Sequence, residues 1–201
     1  SAAIETYVLG AANSFTLGAA AQNVTGSSGN DTVNIGSLTA TGTLNAAGGT
    51  DTLEMSSGAN ISGASVSSFE NLTLASGASV TVGAFQLAQF SGTITAAGSE
   101  TVTVNGDGDF TTLANVETFI VNDDATNART VTVASANTDV TATSVTDAVT
   151  FNLGSLTYTG TLTGEGTTND TVSLGNGASI ASATLNNIEN LTLASGGSFT
   201  M

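Results

Sequence analysis

Short runs along this chain alternate apolar and polar residues with a period of two. Thr32-Val33-Asn34-Ile35, Thr52-Leu53-Glu54-Met55, Asn71-Leu72-Thr73-Leu74, Thr101-Val102-Thr103-Val104 and Thr171-Val172-Ser173-Leu174 are the clearest. Period two places one set of side chains on a buried face and the other in water, so each run predicts a strand. Val33, Ile35, Leu72 and Leu74 are expected to point inward, with Thr32, Asn34 and Thr73 outward. No long window shows the 3.6-residue period of a helix, and β-branched Thr and Val crowd the runs. The segment FQLAQF (85–90) reads either as an irregular coil or as one short helix.

An acidic residue stands just before most of these runs: Asp31, Asp51, Glu70, Glu100, Glu117, Asp170 and Glu189. Intervals of 20, 19, 17 and 19 residues recur among them. A longer repeat contains the short one. GSLTATGTL (36–44) returns as GSLTYTGTL (154–162), and SFENLTLASG (68–77) returns as NIENLTLASG (187–196). The repeating unit is about 118 residues, with a second copy from about residue 150 that is cut short at 201. Short strands at this spacing, joined by Gly, Ser, Asn and Ala, predict an all-β chain, a parallel β-solenoid with coils of about 20 residues. An antiparallel β-sandwich is the alternative, since its strands also alternate between turn signals. The repeated acid at one point of each strand, the small apolar residues and the absence of proline favour the solenoid. Residues 1–201 read as a single continuous solenoid segment and a fragment of a longer repeat protein.

Composition narrows the chemistry. Sixteen acidic residues face one basic residue, Arg129, for a net charge of −15. Nucleic acid is disfavoured, because phosphate contacts need cations. Direct membrane insertion is disfavoured too, since no long apolar run is present. The chain has no Cys and no His, which removes disulfides, Ser-His-Asp triads and the usual zinc ligands. An enzyme such as a polysaccharide-degrading solenoid is not expected, because most general acid–base options are missing.

In a solenoid, acids one coil apart stack at about one strand spacing, ~4.8 Å. At that distance two carboxylates repel by about 3–4 kcal/mol at an effective dielectric near 20. They must splay into water, accept backbone N–H bonds at a bend, or share a divalent cation. Glu70, Glu117 and Glu189 suit a corner hydrogen bond. Around the aspartates the pattern is richer. GSSGNDTVN (26–34) reads G-x-x-G-x-D-x-apolar-x; AAGGTDTLE (46–54) keeps Gly49, Asp51 and Leu53, and EGTTNDTVS (165–173) keeps Gly166, Asp170 and Val172.

This pattern resembles the glycine- and aspartate-rich nonapeptide of RTX proteins, which binds Ca²⁺ between stacked turns. The motifs here are isolated instead of tandem, so the chain looks more like the looser solenoids of bacterial S-layer proteins and large secreted adhesins. The resemblance implies calcium as the cofactor and Asp31, Asp51 and Asp170 as ligands. Asn30, beside Asp31, and Asp107 and Asp109, in NGDGDF, join them as candidate metal residues. It also implies an extracellular location at the bacterial cell surface, with type I secretion. The expected function is structural: a self-assembling surface-layer, fibre or adhesin segment stabilised by calcium. The expected partners are other copies of itself and cell-surface polysaccharide. The alternatives are a carbohydrate-binding adhesin module and a Thr-faced ice-binding solenoid. T-x-T triplets at 39–41, 93–95, 101–103 and 130–132 raise the last, but their irregular sequence spacing argues against one flat rank.

Overall fold

A computed structural model describes residues 5–106, 108–122, 127–143, 147–194 and 200. The chain is all-β, and every sheet in it is parallel. This is the parallel β-solenoid that the alternating pattern predicts, and the sandwich alternative is excluded. Two compact units are present, Ser1–Thr101 and Val102–Met201.

In the first unit the strands are β1 (Thr6–Val8), β2 (Ser14–Thr16), β3 (Asn23–Thr25), β4 (Thr32–Asn34), β5 (Thr43–Asn45), β6 (Thr52–Met55), β7 (Ser65–Ser67), β8 (Asn71–Leu74), β9 (Ser79–Gly83) and β10 (Ile94–Thr95). Odd strands β1-β3-β5-β7 form one sheet, and β2-β4-β6-β8-β10 form another. Successive coils therefore place strand on strand: Val33 lies beside Leu53, and Leu53 beside Leu72. Val33, Ile35, Leu53, Leu72 and Leu74 are all buried, with Thr32, Asn34 and Thr73 on the outer face. Burying each such Val, Leu or Ile stabilises by roughly 1.5–3 kcal/mol.

One helical turn, α1 (Ala84–Leu87), interrupts the first unit, so FQLAQF takes the helical option. Gln86 fixes it. Its Oε1 accepts the Gly83 N–H, and its Nε2 donates to the Ile61 and Ala64 carbonyls. Leu87 and Phe90 are buried while Phe85 faces water.

The second unit carries β11 (Thr101–Asn105), β12 (Phe110–Thr111), β13 (Thr118–Asn122), β14 (Arg129–Thr132), β15 (Asp139–Thr143), β16 (Val149–Gly154), β17 (Thr161–Thr163), β18 (Thr171–Leu174), β19 (Thr184–Asn186) and β20 (Asn190–Leu193). One ladder runs β11-β13-β15-β17-β19 and the other β12-β14-β16-β18-β20. At some repeat-equivalent positions this core is bulkier than the first unit's, with Phe151 in the place of Val33. Tyr158 is fully buried, whereas its counterpart in the shorter-side-chain copy is Ala40, also fully buried. The Tyr158 hydroxyl donates to the Thr138 carbonyl and lies within hydrogen-bond reach of the Thr161 carbonyl. Burial, with Asp139 nearby, pushes its ionisation far above the usual tyrosine range.

Candidate functional site at the coil corners

The acids that precede the strands do stack. Thr32, Thr52 and Asn71 are register partners, which places Asp31, Asp51 and Glu70 at one corner of three successive coils. Asp31 and Asp51 are buried, and Glu70 is half-buried. Asp170 and Glu189 form the corresponding pair in the second unit, with Asp170 buried and Glu189 exposed.

Each of these carboxylates reaches back to the preceding coil. Asp31 Oδ1 accepts the Asn13 N–H at 2.8 Å. Asp51 Oδ1 accepts the Asp31 N–H at 2.6 Å, and Glu70 Oε2 accepts the Asp51 N–H at 2.8 Å. In the second unit Asp170 Oδ1 accepts the Val149 N–H at 2.7 Å, and Glu189 Oε2 accepts the Asp170 N–H at 2.8 Å. At a corner the chain leaves the strand ladder, so its N–H groups lose their strand partners. A buried N–H must be paired, and the carboxylate one coil on supplies the acceptor. Glu100 plays a related part, its Oε1 accepting N–H groups of Gly77 and Ala97.

A second set reaches forward. Asn30 Oδ1 accepts the Thr50 N–H at 2.9 Å, and Asp109 Oδ1 the Thr130 N–H at 2.6 Å. Asp139, which the sequence reading passed over, accepts the Thr161 N–H at 2.7 Å. The signal for it was an acid at the head of DVTAT, one position later than in the other strands and so on the outward face of β15. Asp109 is register-aligned with Thr130, one residue past the corner, so it does not join the Asp170 column. The corner position two coils before Asp170 is held by the buried Arg129, whose guanidinium donates to the Gly106 carbonyl. Asp107 lies outside the described residues.

The second oxygens distinguish the aspartates. Asp31 Oδ2 accepts from the Ser27 N–H at 2.7 Å and from its hydroxyl at 3.1 Å. Ala47 stands where Ser27 stands one coil earlier. Its backbone is left-handed, φ 70°, and its N–H turns to Asn45 Oδ1 instead. Asp51 Oδ2 is left buried with no hydrogen bond, as is Asp170 Oδ2. Desolvation raises the Asp51 pKa above the ordinary carboxylate value. Its bond from the Asp31 N–H opposes that shift, and the neighbouring Glu70 and Asp31 charges add to it.

Two corner glycines, Gly26 in GSSGNDTVN and Gly164 just before EGTTNDTVS, have a packing reason. A Cβ on Gly26 would sit 2.1 Å from the Ala46 carbonyl oxygen, and one on Gly164 2.3 Å from the Asn187 carbonyl oxygen. Only glycine lets the coils approach this closely at the corner.

A calcium ion needs six to eight oxygens converging on one point. The oxygens of Asp31, Asn30 and Asp109 that make contacts face N–H or O–H donors, which is the wrong polarity for cation ligands. Among the described residues no group of three or more His, Cys, Asp or Glu side chains could hold a metal. As placed, Asp31, Asn30 and Asp109 serve as backbone hydrogen-bond acceptors, whereas Asp51 Oδ2 and Asp170 Oδ2 are buried with no hydrogen-bond partner. Comparison with protein-family models, with curated proteins and with solved structures finds no match.

Proposed function

We propose that this chain is a structural, non-enzymatic segment of an extracellular bacterial surface layer, fibre or adhesin, and that it self-associates into an ordered assembly. One observation carries the reading: the corner acids join coil to coil by accepting backbone N–H groups. Side chains that elsewhere supply proton transfer or metal binding here serve as staples along the solenoid. Hydrogen bonds to a charged acceptor contribute about 1.5–3 kcal/mol each. In a chain with no cysteine, this inter-coil bonding takes the place that disulfides hold in many secreted proteins.

Two measurements test it. Thermal melts with and without a chelator are expected to superimpose, because stiffness is assigned to backbone bonds in place of calcium. A Tm falling by many degrees in chelator would return calcium to the centre of the argument. Analytical ultracentrifugation and electron microscopy of the 201-residue chain are expected to show concentration-dependent ordered assemblies, more readily in salt that screens the −15 charge. A monomer at every concentration and ionic strength would sink the assembly reading.

A second reading has its own support. In the β12-β14-β16-β18-β20 ladder the outward residues align as Thr111–Thr132–Asn152–Ser173–Thr192 and Thr130–Thr150–Thr171–Asn190. These are two uncharged hydroxyl and amide columns with rungs ~4.8 Å apart; of the four T-x-T triplets only 130–132 lies in this ladder. Such a face suits ice or an ordered polysaccharide. Thermal hysteresis in a nanolitre osmometer is the check, with none expected under the structural reading.

A further inference from the structure

The sequence contains two Asn-Gly steps, Asn105-Gly106 and Asn176-Gly177. In each the glycine has a positive φ, 82° and 78°. An Asn-Gly step is where a chain most readily attacks itself. Glycine has no Cβ, so its backbone nitrogen can swing onto the preceding side chain.

The surroundings of Asn105 are arranged around that reaction. Asn105 closes β11 and is half-buried, and Gly106 is exposed. β13 lies beside β11, and Asn122 at its end donates from Nδ2 to Asn105 Oδ1 at 3.1 Å. Attack on the Asn105 Cγ moves negative charge onto that same oxygen, so Asn122 holds the place of an oxyanion donor. Arg129, the one basic residue of the chain, is buried, and its guanidinium donates to the Gly106 carbonyl. The Gly106 N–H must lose its proton in order to attack, and a cation held on the same residue favours the deprotonated form.

We propose that Asn105 is a self-modifying site, converted by the Gly106 nitrogen into aspartate or isoaspartate. Solvent base removes the Gly106 amide proton, the N–Cγ bond forms and the Cγ–Nδ2 bond breaks. The departing nitrogen takes a proton from water and leaves as ammonia. Water then opens the succinimide ring, at the side-chain carbonyl to give aspartate or at the backbone carbonyl to give isoaspartate. Nothing is oxidised or reduced. The product meets groups already in place. The bond from Asn122 Nδ2 becomes charge-assisted, hence stronger, and the new carboxylate arises beside the residue that Arg129 holds. The extra backbone methylene of isoaspartate falls at the end of the strand, next to open space: a Cβ built on Gly106 meets nothing within 4 Å.

Peptide mapping by mass spectrometry, after incubating the folded chain at mildly alkaline pH, tests the site. Asn105 is expected to convert several-fold faster than Asn176, which stands in an exposed turn after β18, two rungs from the strand that carries Arg129. In concentrated urea the two rates are expected to draw level. Asn122→Ala, at an outward position, is expected to slow conversion of Asn105 about tenfold, less than the ~10²–10³ lost from a water-excluded oxyanion hole because this site is open to solvent. Asn176 and the far-UV circular dichroism should not change. Asn122→Asp, which puts an acceptor where the donor was, is expected to slow Asn105 in the same way. Conversion of Asn105 no faster than Asn176 in the folded chain would overturn the proposal. So would a preference that persists in urea, or a rate at Asn105 that both Asn122 variants leave unchanged.

Discussion

Asp31→Ala is expected to destabilise the first unit by about 3–4 kcal/mol, judged from the size of hydrogen bonds to charged acceptors. The carboxylate accepts three bonds, from the Asn13 N–H, the Ser27 N–H and the Ser27 hydroxyl. Alanine leaves these donors facing a site too enclosed for ready access to water, since Asp31 is 1% exposed. Asparagine does not restore them all. Its amide can keep one acceptor, but its NH₂ group must then confront either the Asn13 or the Ser27 N–H. Urea melts should show the midpoint falling for both variants, more for alanine. In a solenoid each coil contacts mainly its neighbours, so the damage is local. Hydrogen exchange should lose protection first at the amides of Asn13 and Ser27. A loss within about 0.5 kcal/mol, the range of an ordinary surface substitution, would refute the staple role.

Asp51→Asn is expected to do the opposite at neutral pH, raising stability, because it removes a buried charge that desolvation and the neighbouring carboxylates disfavour. Asp51 Oδ1 accepts the Asp31 N–H, a bond that the asparagine carbonyl can also accept. The substitution removes a buried negative charge whose second oxygen makes no hydrogen bond and whose neighbours are the carboxylates of Asp31 and Glu70. The folded-state pKa of Asp51 lies above its unfolded value. Its contribution to stability is therefore fully present below the unfolded pKa, near 3.9, and is lost as pH rises through the raised folded value. The difference in Tm between variant and parent should be large at pH 7 and shrink on acidification towards pH 4. Were Asp51 a calcium ligand, the same substitution would lower stability in calcium at pH 7, so the sign of the change discriminates the two ideas.

The contrast between Asp31 and Asp51 shows where sequence reading stops. Both stand before an alternating strand and both follow a Gly-containing loop of equal length, Gly26 to Asp31 and Ala46 to Asp51. The letters predicted the same role for both. The difference arises because Ser27 points its N–H at the carboxylate one loop away, while Ala47 adopts a left-handed backbone and gives its N–H to Asn45. Asp139 and Arg129 make the same point from the other side. One is an outward strand residue that accepts a bond from the next coil, and the other is a cation seated in the acid position.

Period-two alternation, the spacing of about 20 residues and the small apolar side chains were enough to determine strands, their inward faces and the stacking of coils. These are local properties, since a residue's parity along a strand decides which face it occupies. What the chain's third dimension alone decided was polarity at the corners and alignment across coils. At Asp31 the carboxylate oxygens meet backbone N–H groups, one from the preceding coil and one from the loop just before the strand, because the chain leaves the ladder at the corner. The hydroxyl and amide columns of the second unit follow from residues 19 to 21 apart in the sequence, and inter-strand hydrogen bonding sets which of them become neighbours.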